Sequence, residues 1–138
     1  MYAQLVPFLI MLATAVEQTA VFTSGEEGYH TFRIPAVVQT QNGELLAFCE
    51  GRRNNASDTG DIDLVMKRSG DGGRTWSALT VVVDDAENTC GNPAPVVERE
   101  TGAVLLVFTK NAGDTSEGAI NRGEGPPRAP WITRSVDH

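Results

Sequence analysis

Residues 69–76, Ser69-Gly70-Asp71-Gly72-Gly73-Arg74-Thr75-Trp76, decide the fold that we expect for this chain. Gly72 and Gly73 permit a tight reversal, because glycine adopts backbone angles that other residues disfavour. The carboxylate of Asp71 can accept backbone N–H groups inside the turn, and Trp76 can bury its ring. The segment therefore predicts a locked turn between two β-strands.

Short β-forming runs dominate the chain on both sides of this turn. Six runs rich in Val, Leu, Ile and Phe predict strands, at residues 35–40, 44–49, 62–67, 80–83, 95–98 and 103–109. Asn42-Gly43 and Thr101-Gly102 predict hairpin turns between neighbouring runs. Residues 112–130 are crowded with turn formers and predict a surface loop. Residues 131–137 look like the approach strand and opening of a second turn of the same kind, which indicates a repeated radial β architecture.

The bulk composition bounds the class of protein. The 138 residues are 41% hydrophobic and 21% charged, which is enough for one globular domain with a modest core. A formal net charge of -7 gives no broad support for binding nucleic acid or an anionic membrane. An anionic ligand would need a local cluster of arginines.

The first residues resemble a targeting segment. Residues 1–16 are nearly all apolar and contain the small-x-small pattern Ala13-Thr14-Ala15, which a signal peptidase could cleave. The segment is too short to span a bilayer comfortably, so we predict a leader at 1–16 and the folded part at 17–138. A secreted or periplasmic location is expected, with a lysosomal or intracellular one left open. Cys49 and Cys90 are predicted to be free and buried.

Two kinds of side chain point to chemistry. Arg33 should alternate away from its apolar neighbours, and Arg52 and Arg53 stand where a predicted strand reaches a loop. Planar guanidinium groups can clamp a carboxylate, while an aspartic acid such as Asp58 can give a proton to a departing oxygen. The sequence does not decide whether Arg52 or Arg53 faces a ligand. Asp61 and Asp63 compete with Asp58, although they are expected to be solvated charges at a strand edge.

Two other interpretations of this region are weaker. The carboxylates of residues 58–63 suggest calcium, but the glycine position and the missing closing glutamate do not fit a calcium-binding loop, and we predict no metal. Asn55-Ala56-Ser57 matches a glycosylation acceptor, but a glycan there would crowd Asp58, so we interpret the match as chance.

These residues together resemble the sialidase (neuraminidase) family. The resemblance rests on Phe32-Arg33-Ile34-Pro35, Gly51-Arg52-Arg53, Ser57-Asp58-Thr59-Gly60 and the complete Asp-box at 69–76, and it extends over nearly all of residues 21–137. It implies an all-β fold, a six-bladed β-propeller of the sialidase type, of which about the first two blades are present in this chain. The chain is thus expected to be the amino-terminal portion of an exo-α-sialidase, ending inside a second Asp-box.

The resemblance also implies an activity and a set of roles. The expected reaction is the removal of terminal sialic acid from glycoproteins, glycolipids or oligosaccharides with retained configuration, without a cofactor and with a tyrosine nucleophile. Asp58 would be the acid/base, and Arg33 with Arg52 or Arg53 would hold the substrate. The Asp-box residues would be structural: Ser69, Asp71, Gly73, Thr75 and Trp76.

This chain departs from the family pattern in two respects. No nucleophilic tyrosine can be assigned, because Tyr2 and Tyr29 are not candidates, and two of the three carboxylate-binding arginines are absent. We therefore expect little or no turnover from these residues alone. The alternative is a non-catalytic Asp-box propeller or a sialic-acid-binding, lectin-like module.

Overall fold

The computed structural model describes residues 16–135 of the chain. The predicted leader, apart from its last residue, and the end of the predicted second Asp-box lie outside them. The described part contains seven strands and one short helix: β1 Thr31–Gln39, β2 Leu45–Arg52, β3 Ile62–Ser69, β4 Thr80–Val83, β5 Thr89–Val97, β6 Val104–Asn111, α1 Glu117–Asn121 and β7 Ala129–Ser135. The predicted all-β class is confirmed. No helix in residues 16–135 is both long enough and apolar enough to cross a bilayer.

The strands form two antiparallel units, which we call the first blade (β1–β4) and the second blade (β5–β7). In the first blade, β1 pairs with β2, β2 with β3 and β3 with β4. In the second, β6 pairs with both β5 and β7. One parallel pairing, Ile62 with Thr89, joins the blades. The number of blades predicted for a whole propeller, six, stays a prediction.

The second blade repeats the local structure of the first. In β1 the register shifts between Arg33 and Ala36, and in β5 it shifts between Gly91 and Ala94. The residue before the proline has a positive φ in both strands, 55° at Ile34 and 57° at Asn92. A bulge leaves a residue out of the ladder, so the proline that follows, which lacks an N–H, can be accommodated inside the strand. Both strands therefore begin several residues earlier than the sequence predicted.

The main core lies between the two blades. It combines side chains from both of them: Leu46, Phe48, Leu64, Cys90, Val104, Leu106 and Phe108. A second cluster of Tyr29, Cys49 and Val65 covers the other face of the first blade, with Phe22, Phe32 and Leu79 packed against it. Strand β2 and the first half of β3 are consequently buried on both faces. The prediction that residues 62–67 form a partly exposed strand is wrong for residues 62–65, which are buried, and holds for Met66 and Lys67, which are half-buried. Cys49 and Cys90 are free and buried, as predicted.

The turn at residues 69–76 forms a closed hydrogen-bond network around one carboxylate. Asp71 accepts the Ser69 hydroxyl at 2.8 Å, and it accepts the backbone N–H and the hydroxyl of Thr75 at 2.9 and 2.7 Å. Trp76 donates its indole N–H to the carbonyl of Gly73 at 3.1 Å. The hydrogen bonds from Thr75 and Ser69 hold the pKa of Asp71 well below its ordinary value. This network fixes the connection from β3 to β4.

Three loop predictions need correction or refinement. Both predicted hairpins form, but each turn is longer than two residues, spanning 40–44 between β1 and β2 and 98–103 between β5 and β6. The segment 112–130, predicted as a loop throughout, contains α1, whose first turn is capped by the Ser116 hydroxyl. It also contains the start of β7 at Ala129.

Candidate functional site

The predicted site residues surround a cleft of about 260 Å³ where the two blades meet. The bulge of β1 and the end of β2 contribute one wall, and the bulge of β5 and the end of β6 contribute the other. The lining residues are Arg33, Ile34, Glu50, Arg52, Asp58, Thr89, Gly91, Asn92, Thr109, Asn111, Glu117 and Arg128. Three of the residues singled out from sequence, Arg33, Arg52 and Asp58, therefore share one cavity.

Asp58 lies between two guanidinium groups. Its Oδ1 is 2.7 Å from a terminal nitrogen of Arg52 and 3.3 Å from a terminal nitrogen of Arg33. The side chains of Asp58 and Arg33 are 69% and 49% exposed, so both can be reached from solvent. The positive φ of Ile34 belongs to the bulge that follows Arg33 in β1. The cleft thus offers an accessible acid beside an accessible cation.

Arg52 is fixed from every side of its guanidinium. Its Nε and one terminal nitrogen donate to Oε2 of Glu50 at 3.2 and 2.7 Å, and the other terminal nitrogen donates to the carbonyl of Ala56 at 2.7 Å. Only 3% of its side chain is exposed. Burial alone would lower the pKa of Arg52, but the hydrogen bonds to Glu50 and Asp58 outweigh it and raise this pKa above its ordinary value. Arg52 is a rigid cation at the floor of the cleft.

Arg53 points away from the cleft. It pairs with Asp61 at 3.3 Å and with Asp63 at 2.7 Å, and its guanidinium lies 4.9 Å from the centre of the Tyr29 ring. Of the two adjacent arginines, Arg52 is therefore the one that lines the cleft. The expectation that Asp63 is a solvated charge is wrong, because its side chain is fully buried and paired.

Tyr29 is engaged in the same buried network as Arg53. Its hydroxyl donates to Asp63 at 2.6 Å, and its side chain is 4% exposed. Burial and the hydrogen bond to Asp63 raise the pKa of Tyr29 well above its ordinary value. A tyrosine held in this way, outside the cleft lining, is a poor nucleophile.

The second wall of the cleft holds polar residues that sequence reasoning missed. Arg128 donates from Nε to the side chain of Asn111 at 3.1 Å and pairs with Glu117 at 3.3 Å. Asn111 occupies the position in the second blade that Arg52 occupies in the first, because Asn111 pairs with Thr89 as Arg52 pairs with Thr31. A comparison of the two repeated units could therefore have pointed to Asn111. Glu50, Thr109 and Glu117 carried no signal that we used.

The described residues bring together no group of three or more His, Cys, Asp or Glu side chains arranged to hold a metal ion. The exposed guanidinium of Arg33 can bind an anion, and the exposed carboxyl of Asp58 can exchange a proton with a bound group.

Comparisons with known proteins agree on one family. No protein-family model matches the chain. Its sequence is 45% identical over 100 residues to an exo-alpha-sialidase of Arthroderma benhamiae, covering 68% of this chain and 24% of that protein. It is 42% identical over 116 residues to an exo-alpha-sialidase of Aspergillus fumigatus, covering 80% and 27%. A sialidase of Micromonospora viridifaciens is 37% identical over 87 residues, covering 59% and 13%.

Solved structures of sialidases resemble the fold of most of this chain. Hadza microbial sialidase Hz136 superposes with a TM-score of 0.72 and 25% identity, covering 83% of this chain and 25% of that one. A mutant of Trypanosoma rangeli sialidase displaying trans-sialidase activity superposes with a TM-score of 0.57 at 15% identity, covering 81% and 22%, which speaks for the fold alone. The chain spans about a quarter of the length of the first two curated relatives.

Proposed function

Since this chain is related to the sialidases in both sequence and fold, we propose that its cleft is part of a site that removes terminal sialic acid from glycans. The observation that carries the proposal is the convergence of Arg33, Arg52 and Asp58 in one cavity, with Asp58 within 3.3 Å of both guanidinium groups. Sialic acid suits this combination because it presents a carboxylate next to the glycosidic bond.

In the proposed scheme, the exposed guanidinium of Arg33 binds the substrate carboxylate. A charge-assisted, two-pronged contact of this kind gives both strength and orientation. Arg52, which is buried and fully hydrogen-bonded, holds Asp58 in place rather than moving with the ligand. The structural evidence in favour of these roles is the exposure of Arg33 and the burial of Arg52.

Asp58 is proposed to protonate the leaving oxygen and then to activate water. Retention of configuration needs a covalent intermediate, and sialidases are an exception to paired carboxylates because their nucleophile is a tyrosine. Tyr29 is the tyrosine among residues 16–135, and its hydroxyl is bound to Asp63. We therefore propose that the chain by itself has little or no turnover.

The proposed substrates are sialylated glycoproteins, glycolipids and oligosaccharides. Such glycans are displayed mainly outside cells, so export of the protein is part of the same proposal. The acidic net charge of -7 is consistent with a site in which arginines are confined to a local cluster.

Two experiments test the proposal. The purified chain should bind N-acetylneuraminic acid but release little fluorophore from a 4-methylumbelliferyl sialoside. A chimera in which residues 17–135 replace the matching part of the Aspergillus fumigatus relative should hydrolyse that sialoside. Binding without hydrolysis in the chimera would favour the lectin-like alternative, and absence of both would refute a sialic acid site.

A further inference from the structure

Glu50 is a buried carboxylate that connects the two walls of the cleft. It lies on β2 with 6% of its side chain exposed. One oxygen, Oε2, accepts two hydrogen bonds from Arg52 in the first blade, at 2.7 and 3.2 Å. The other oxygen, Oε1, accepts the backbone N–H of Asn92 in the second blade at 3.0 Å. Each oxygen of this one side chain therefore accepts hydrogen bonds from a different blade.

The approach of Glu50 to the second blade depends on a glycine. A Cβ atom placed on Gly91 would lie 2.7 Å from Oε1 of Glu50, which is closer than real Cβ contacts. Asn92 follows with a φ of 57°, and its side chain donates to the hydroxyl of Thr109 at 3.1 Å. The backbone of Asn92 is thus fixed by Glu50 and its side chain by Thr109.

The charge of Glu50 also balances that of a buried cation. The Arg52 side chain is only 3% exposed, and a buried guanidinium is costly unless it is paired and hydrogen-bonded. The contact through both Nε and a terminal nitrogen defines the plane of the Arg52 guanidinium. That plane presents the terminal nitrogen that lies 2.7 Å from Asp58.

We propose that Glu50 is a positioning residue for sialic acid recognition, which holds Arg52 and Asn92 in the geometry that the ligand requires. This inference rests on the proposed function, because it assigns Glu50 a role in that same site. Glu50 acts through its neighbours and does not itself contact the ligand.

Position and charge make opposite predictions for the substitution Glu50→Gln. By charge alone, loss of an anion beside an anion-binding site strengthens the binding of N-acetylneuraminic acid. If Glu50 positions its neighbours, affinity falls instead, because the glutamine NH₂ group cannot accept the hydrogen bonds that one of the two carboxylate oxygens now accepts. We expect a loss of about tenfold or more in affinity, since at least one charge-assisted or backbone hydrogen bond disappears. An unchanged or increased affinity of folded Glu50→Gln overturns the inference.

Gly91→Ala provides a second variant that leaves every charge in place. The new methyl group displaces Oε1 of Glu50, so we expect a similar loss of affinity. Gly70→Ala is the matched control, because a Cβ at Gly70 meets nothing within 4 Å, and it should bind as the unsubstituted chain does. Glu44→Gln, which removes the ion pair with Arg68 at 3.2 Å outside the cleft, should also leave the affinity unchanged. Equal affinity of Gly91→Ala and Gly70→Ala would count against the inference.

A structural readout separates this inference from the proposed function. In ¹H–¹⁵N spectra of the chain without ligand, Glu50→Gln should shift the Nε–H signal of Arg52 and the amide signal of Asn92, and Glu44→Gln should shift neither. If the unsubstituted chain binds no N-acetylneuraminic acid, the proposed function fails, and these two signals alone decide whether Glu50 positions both walls. Signals that stay in place overturn the inference in either case.

Discussion

The carboxylate of Asp58 and the guanidinium of Arg33 lie 3.3 Å apart, although 24 residues separate them in the sequence. The first residue lies in the loop after β2 and the second lies on β1, so it is the pairing of β1 with β2 that brings them together. The loop carries Asp58 back over the bulge of β1. The proposed proton donor and the proposed anion-binding residue thus lie at one mouth of the cleft.

Asp58→Asn should abolish most catalysis in the chimera described above. A positioned general acid contributes about 10²–10⁴-fold to a rate, so we expect kcat to fall by at least about 100-fold. Asp114→Asn is the control, because Asp114 is an exposed carboxylate outside the cleft lining. Hydrolysis rates of a fluorogenic sialoside provide the measurement. If the Asp58→Asn chimera hydrolyses the sialoside at a rate within a few-fold of that of the unsubstituted chimera, Asp58 is not the general acid.

Arg33→Gln should weaken the binding of N-acetylneuraminic acid to the chain. A hydrogen bond to a charged group contributes about 1.5–3 kcal/mol, which corresponds to roughly a 10- to 100-fold loss of affinity. The affinity of Arg33→Lys should lie between that of the unsubstituted chain and that of Arg33→Gln, because lysine keeps the charge but not the planar fork. Titration calorimetry or NMR titration can measure the affinities. The control is Arg99→Gln, at an exposed position outside the cleft lining, which should bind with unchanged affinity. Equal losses of affinity in Arg33→Gln and Arg99→Gln would contradict a specific role for Arg33.

The sequence predicted the strands well where local chemistry alone decides them. The strand 80–83 has the predicted bounds, and both hairpins form at their glycines. The starts of β1 and β5 were missed because the predicted strands were begun at Pro35 and Pro95. A bulge is set by the pairing of two strands, which a single run of residues does not reveal.

The candidate site was predictable on one wall only. Arg33, Arg52 and Asp58 were singled out because guanidinium and carboxyl groups in loops or at strand ends suggest binding and catalysis. The burial of Asp63 was missed because its charge suggested solvent, and the contacts of Glu50 depend on packing between the blades, which the sequence does not show. The choice between Arg52 and Arg53 was likewise open until strand alternation was fixed in three dimensions.

The stability of the fold should decrease in acid through the Asp-box. The hydrogen bonds from Thr75 and Ser69 depress the pKa of Asp71 in the folded state. A depressed carboxyl pKa stabilises the fold above the unfolded value of about 3.9, and that contribution is lost as pH falls below it. Urea unfolding of the chain between pH 7 and pH 3 measures this effect. Asp71→Asn should be less stable at pH 7 and should lose less stability on acidification. If its free energy of unfolding falls with pH as steeply as that of the unsubstituted chain, Asp71 does not contribute to the acid sensitivity.

Both thiols should resist modification in the folded chain. Burial raises the pKa of Cys49 to about 12 and that of Cys90 to about 11, and the thiolate is the reactive form. With Ellman's reagent at pH 8, native protein should react slowly at both sites, and protein in strong denaturant should release two equivalents. Rapid reaction of Cys90 without denaturant would show that the interface between the blades opens readily, and rapid reaction of Cys49 would show the same for the cluster on the other face of the first blade.

The most direct test of the account is an NMR titration of the isotope-labelled chain with N-acetylneuraminic acid. We expect saturable shifts, with a Kd on the order of millimolar for an incomplete site, confined to the signals of Arg33, Arg52, Asp58 and their neighbours in the cleft. N-acetylmannosamine, which lacks the carboxylate, should leave these signals in place. The absence of shifts at tens of millimolar ligand, or equal shifts with the neutral sugar, would contradict a sialic acid site built on these three residues.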